Sequence, residues 1–127
     1  MPEHVHLLIW PTQEQYSMSD ILLSIKQSVA RRAVSYLKRY NPAGLSLLAT
    51  RQKHTPYRFW QDGGGYDRNI RESRTLQRVV RYIHENPVRR GLAGLCQEWE
   101  WSSFRQWEDL GTGPIPIDKE SFLTSVS

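Results

Sequence analysis

The residues best suited to chemistry lie in two short segments. The first is Met1-Pro2-Glu3-His4-Val5-His6-Leu7-Leu8-Ile9-Trp10. Side chains alternate along a strand, so His4 and His6 point to one face and Val5 to the other. Two imidazoles on one face can hold a divalent metal, given a third donor and open positions for water or a substrate oxygen. The second segment is Tyr82-Ile83-His84-Glu85-Asn86-Pro87. Tyr82 and Asn86 are four apart, so a helix brings them to one side, and the Asn86 side-chain oxygen is a candidate third ligand. Mg2+ or Mn2+ suits a phosphate substrate, and two imidazoles accept other transition metals as well.

Together these groups suggest a metal-assisted tyrosine nucleophile acting on nucleic acid. The metal's task would be to polarise a nonbridging oxygen of the scissile phosphate. Tyrosine, with a usual pKa near 10, needs activation or a well-aligned phosphate. Attack would leave a covalent phosphotyrosine, which conserves the reactivity of the phosphodiester for a later rejoining step. Tyr36, Tyr40, Tyr57 and Tyr66 compete with Tyr82 on residue type alone. His84 is an alternative metal or base residue, but its two-residue offset turns it away from the Tyr82 face. His54 lies in a basic loop and carries no assignment. Gly63, Gly64 and Gly65 lack the spacing of a phosphate-cradling loop and read as a tight turn.

The surroundings favour a polyanion. The chain has 127 residues, 39% hydrophobic and 24% charged, and a formal charge of +4. Residues 1–50 carry 5 basic and 3 acidic side chains, residues 51–90 carry 10 and 4, and residues 91–127 carry 2 and 6. Nine of the ten basic residues in the middle segment are arginines, the side chain matched to bidentate phosphate contact. No run approaches the length of a membrane span, and no secretory leader is visible. One cysteine, Cys96, permits no internal disulfide and reads as packing, so a reducing interior is the default.

The elements that must position these groups follow from periodicity. Residues 4–10 read as a strand ended by Pro11. Ser17 or Ser19 can cap a helix, with Asp20 favourable in its first turn. Ile21, Leu22, Ile25, Val29, Ala33, Tyr36 and Leu37 recur at helical spacing, predicting a helix of roughly 20 residues closed by Asn41-Pro42-Ala43-Gly44, its stripe packed on a sheet. Leu45 to Thr50 is apolar and of no assigned type; Tyr57 to Gln61 reads as a short strand. A second helix is expected from a cap at Asp67 or Asn69 to about Glu85, with Leu76, Val79, Val80 and Ile83 inward. Pro87 disfavours helical geometry at Asn86 and should end it. Trp99, Trp101, Phe104 and Trp107 are expected to dock on the core.

Four blocks in order carry a resemblance: Pro2-Glu3-His4-Val5-His6-Leu7-Leu8, Phe59-Trp60-Gln61, Tyr82 through Leu92, and Trp99-Glu100-Trp101-Ser102-Ser103. They resemble the REP-associated tyrosine transposases, within the single-tyrosine transposases that share a His-hydrophobic-His motif. The resemblance implies cleavage and joining of single-stranded hairpin DNA, often repetitive extragenic palindromes. It implies Tyr82 as the nucleophile forming a 5′-phosphotyrosine, and His4, His6 and Asn86 as ligands of Mg2+ or Mn2+. Arg78, Arg81, Arg89 and Arg90 are the arginines assigned here to the DNA.

The fold it implies is α+β, a ferredoxin-like α/β sandwich with an antiparallel sheet. Its His-bearing strand normally follows a strand-helix-strand unit, yet the histidines here begin at residue 4. The expectation is therefore a partial catalytic domain over 1–110 and a poorly structured or extended tail over 111–127, with a homodimer as one way to complete the sheet. The expected location is cytoplasmic and nucleoid-associated. The rival readings are a non-catalytic hairpin DNA-binding module, an inactive truncated remnant, and a nuclease using activated water.

Overall fold

A computed structural model of the chain describes residues 1–63 and 65–126. Gly64, within the turn expected over 62–66, lies outside them. The elements in order are α1 (Met18–Tyr40), α2 (Pro42–Ser46), α3 (Ser73–Arg89), a single 3-10 turn (Cys96–Glu98), α4 (Phe104–Trp107) and α5 (Lys119–Val126). The chain divides into two compact units, one formed by Met1–Thr12 with Asn69–Ser127, the other by Gln13–Arg68.

The α+β sandwich expected from the sequence is not what forms. The described residues are predominantly helical and hold no β-strand; their one β-contact is an isolated antiparallel bridge between Ala49 and Tyr57. Two backbone bonds frame it, Thr50 N–H to Pro56 O at 2.8 Å and Arg58 N–H to Leu48 O at 2.8 Å. The physical reason lies in what alternation encodes. It fixes which side chains of a strand share a face, but not which backbone satisfies the strand's N–H and C=O groups. Residues 4–10 keep the alternation in part: His4 and His6 are half-buried, while Val5 and Leu7 are exposed. They gain no ladder partner. Tyr57 to Gln61, the other expected strand, supplies only the residue of the bridge.

In the Gln13–Arg68 unit, α1 starts where its cap dictates. Ser17 Oγ accepts from Asp20 N–H at 3.2 Å, and Asp20 sits in the positive first turn. At the other end Asn41 N–H bonds Leu37 O at 2.9 Å, and the Asn41 side chain accepts from Gly44 N–H at 2.9 Å, opening α2. The α1 stripe has no sheet to pack on and no buried residue. Trp60 Nε1 donates to Lys26 O at 2.9 Å and ties the aromatic loop to α1. Leu45 is the buried apolar residue of this unit.

In the other unit α3 begins at Ser73 rather than at a cap on 67 or 69, and it runs past Pro87 to Arg89. Proline's bias against a helical predecessor is outweighed by a better stop further on. Gly91, at φ +68, takes the left-handed position. Gly91 N–H then bonds Val88 O at 2.9 Å and Leu92 N–H bonds Pro87 O at 2.9 Å, the paired bonds of a Schellman cap. The extra turn keeps Asn86 inside the helix. Val80, His84, Asn86 and Pro87 are the buried residues of α3.

Candidate functional site

The site grows from α3. At about 100° per residue, Arg74, Arg78, Tyr82 and Asn86 form one ridge, each four after the last. Arg81 lies beside that ridge. His84 sits on the far side of the helix. The ridge runs from exposed cations at its start, through a half-exposed phenol, to a buried amide at its end.

The N-terminal segment of the same unit meets the buried end. His6 Nε2 lies 3.3 Å from Asn86 Nδ2 and 3.1 Å from His4 Nε2. The Tyr82 ring stands edge-on to His6, with centroids 5.4 Å apart. His4, His6, Tyr82 and Asn86 are therefore gathered in one place.

The hydrogen bonds constrain the tautomers of the two rings. An amide nitrogen only donates, so His6 Nε2 is an acceptor from Asn86. Glu3 lies against the other side of His4, its Oε1 3.4 Å from His4 Nδ1. A carboxylate only accepts, so it favours the His4 tautomer protonated at Nδ1. The His4 and His6 Nε2 atoms lie at hydrogen-bond distance, 3.1 Å apart, with the donor set by the tautomer of each ring. Burial lowers the pKa of His6 below its usual value, and the His4 and N-terminal charges add to this, which keeps it in the neutral form a metal ligand requires.

Asn86 adds a second sign. Its Oδ1 is buried without a hydrogen-bond partner. Buried polar atoms are normally satisfied; the amide meets His6 through Nδ2, and turning it over would bring Oδ1 to the imidazole side as a metal donor. These three groups could hold a hard divalent ion. Among the described residues no group of three or more His, Cys, Asp and Glu side chains is placed to do so.

Glu3 is the residue sequence reasoning missed. A carboxylate next to His4 belongs to the opposite face in a regular strand, but the chain bends at Glu3 and brings it back. Its carboxyl is held below the usual carboxylate range, first by a backbone hydrogen bond and then by the Arg90, His4 and N-terminal charges. Arg90 pairs with Glu3, and Arg89 pairs with Glu85 at 2.7 Å. Arg78 and Arg81 are exposed and have no acidic partner among the described residues.

His84 does not face this site. Its ring is buried, with Nε2 2.9 Å from Ser103 Oγ and ring edges against Phe104 at 5.4 Å and Trp107 at 6.0 Å. Burial lowers its pKa, opposed by the Glu108 carboxylate. Ser103 thus anchors the Trp101-Ser102-Ser103 segment to the back of α3. Trp107 in turn packs on Phe122 of α5, but Trp101 stays 70% exposed rather than docking.

Comparison with known proteins adds one relation. The chain is 24% identical over 106 residues to a Haemophilus influenzae protein whose name gives it provisionally as a REP-associated tyrosine transposase. The aligned region covers 84% of this chain and 56% of that protein, so the chain spans little more than half the length of the curated relative it matches. At this identity the similarity supports a distant link to the transposase superfamily. No protein-family model matches, and no solved structure does. No helix among the described residues is long and apolar enough to cross a membrane.

Proposed function

We propose that this chain is a transposase-derived module that binds single-stranded or hairpin DNA without cleaving it. The observation that carries the reading is the α3 ridge, with Arg78 and Arg81 exposed beside Tyr82 and without an acidic partner among the described residues. Phosphate contact needs cations in a row, which one helix supplies. Cleavage needs more. A catalytic constellation must be held within about 0.5 Å by a rigid frame, and His4 and His6 sit on a segment with no ladder bonds. The distant transposase similarity supports the class of ligand. The test is binding of a labelled DNA hairpin as salt is varied. Arg78→Ala with Arg81→Ala should weaken binding and lower the salt slope by about one for each arginine. An unchanged slope would remove α3 from the interface.

A second reading is favoured by the gathering of His4, His6 and Tyr82 around Asn86 and by the unsatisfied Asn86 oxygen. In it the protein is a metal-dependent transposase that cuts and rejoins hairpin DNA. His4, His6 and Asn86 would hold Mg2+ or Mn2+, which when bound supplies charge stabilisation at the scissile phosphate. The Tyr82 oxygen attacks phosphorus, forming the tyrosine–phosphorus bond as the bond to the 3′ oxygen breaks. The 5′ end stays on Tyr82 and a 3′ hydroxyl is released. Arg78 and Arg81, both on the N-terminal side of Tyr82, hold the strand. A denaturing gel of protein with labelled hairpin and Mn2+ separates the two readings. A covalent band lost in Tyr82→Phe and His4→Ala supports cleavage. Tight binding with no such band supports the module.

A further inference from the structure

The other unit carries a surface that α3 does not explain. Arg32, Tyr36 and Tyr40 are spaced four apart and form one ridge at the end of α1. Tyr36 is 61% exposed and Tyr40 60%, although aromatic rings on a helix usually turn inward. Their centroids lie 4.9 Å apart with planes tilted by 42°. The Arg39 guanidinium stands 5.2 Å from the Tyr40 centroid, and Lys38 Nζ 5.5 Å from the Tyr57 centroid. Tyr36 also walls an open groove shared with Val29, Arg32, Ala33, Leu37 and Phe59.

Three properties coincide. The rings are exposed and adjacent, as stacking requires. Arg32, Lys38 and Arg39 have no acidic partner among the described residues. The Gln13–Arg68 unit carries nine basic and four acidic side chains, so its field draws polyanions. A protein partner covering the rings would have to bring a carboxylate for each of those cations, since an unpaired buried charge is costly. A single nucleic-acid strand satisfies both halves, placing base faces on the rings and phosphates on the cations. In a paired duplex the base faces are already stacked and cannot reach the rings.

We propose that Tyr36 and Tyr40 form a stacking platform for unpaired bases of a DNA strand, with Arg32, Lys38 and Arg39 on its phosphates. This rests on the DNA-binding reading above and adds a second contact surface, specific for unpaired bases.

The experiment uses the full chain and two probes, an oligothymidine carrying one 2-aminopurine and a blunt duplex of equal length. Stacking on a ring quenches 2-aminopurine. The wild type should quench it, and Tyr36→Ala with Tyr40→Ala should abolish quenching and weaken single-strand binding about tenfold. Duplex binding should change less than twofold. Tyr36→Phe with Tyr40→Phe, which keeps both rings, should behave as wild type. The charge reversal Arg32→Glu with Arg39→Glu tests the same face without removing a ring and should weaken both probes. If the alanine pair matches wild type while Arg78→Ala with Arg81→Ala loses binding, the platform is wrong and the α3 reading stands. If no variant matters, or the protein binds neither probe, the DNA reading fails and takes the platform with it. A change in the light-scattering mass of the alanine pair, with DNA binding intact, would assign the face to protein contact and overturn the proposal.

Discussion

The two units divide charge and geometry between them. The Gln13–Arg68 unit has nine basic and four acidic side chains; the unit with Tyr82 has eight and nine. Along the sequence, the positive charge is densest over residues 51–90, the stretch that holds the tyrosine. In the fold, Arg51, Lys53, Arg58 and Arg68 go to the other unit, and the acidic residues after 91 join α3. The unit with the gathered histidines is thus near neutrality, and the unit without them carries the field. A linear charge count cannot see this, because it assigns charge to neighbours in sequence. The excess positive field is then a property of one unit, and the gathered histidines, tyrosine and amide a property of the other.

The largest expected effects are on the separate cores. Leu45→Ala should destabilise the Gln13–Arg68 unit by about 3 kcal/mol, and Val80→Ala the other unit by about 2 kcal/mol. Each is a buried aliphatic side chain of its unit, at 8% exposure. Hydrogen exchange checks the division. Leu45→Ala should speed exchange in α1 and leave α3 protected, and Val80→Ala should do the reverse. Equal loosening of both helices by either variant would mean that the units share one cooperative transition.

Next in size is the histidine pair. Glu3→Ala removes the acceptor that orients His4 and should weaken Mn2+ binding about tenfold, the usual cost of losing a partner behind a metal-bound imidazole. Calorimetry with Mn2+ alone reads this without any DNA. Wild-type protein that takes up no Mn2+ would leave His4 and His6 as a hydrogen-bonded pair and remove the metal reading. Below this comes Ser17→Ala, which removes the α1 cap and should cost the Gln13–Arg68 unit about 1 kcal/mol, seen as a lower urea midpoint. No matching loss is expected in α3, whose N-cap, Glu72, makes no side-chain cap bond.

What was legible in the sequence was local. Ser17, Asp20 and the seven-residue stripe specified α1, because capping and helical spacing act within a few residues. Tyr82 and Asn86 fell on one ridge for the same reason. Failure came where a distant partner decides the outcome. The alternation of residues 4–10 was read as a strand in a sheet, yet no second backbone pairs with it. Pro87 was read as a stop, although Gly91 four residues later supplies a cap with two bonds. Glu3 was passed over because regular strand geometry puts it behind His4, and a single bend reverses that. The back of α3 was half visible. His84 was turned away from Tyr82 correctly, but its partner Ser103 is 19 residues off, and no local rule connects them.

The smallest effect is a pH dependence confined to one unit. Burial holds the His84 pKa below 6.5, with the Glu108 carboxylate pulling the other way. Ser103, Phe104 and Trp107 complete its surroundings. Folded His84 therefore stays neutral at a pH where the unfolded chain already binds a proton. Its contribution to stability is complete above pH 6.5 and is lost as pH falls from there through the lowered folded value. His6 is shifted the same way and adds to the loss. Carboxylates with lowered values act at more acid pH, so urea midpoints at pH 7.5 and 5.5 isolate the histidines. Exchange should quicken in α3 at the lower pH and hold steady in α1, whose unit contains only the exposed His54. His84→Gln, which can still meet Ser103, should remove most of the difference. A wild-type midpoint that does not move between the two pH values would mean that His84 is not held neutral against Phe104 and Trp107, and the back of α3 would then be wetter than its burial implies.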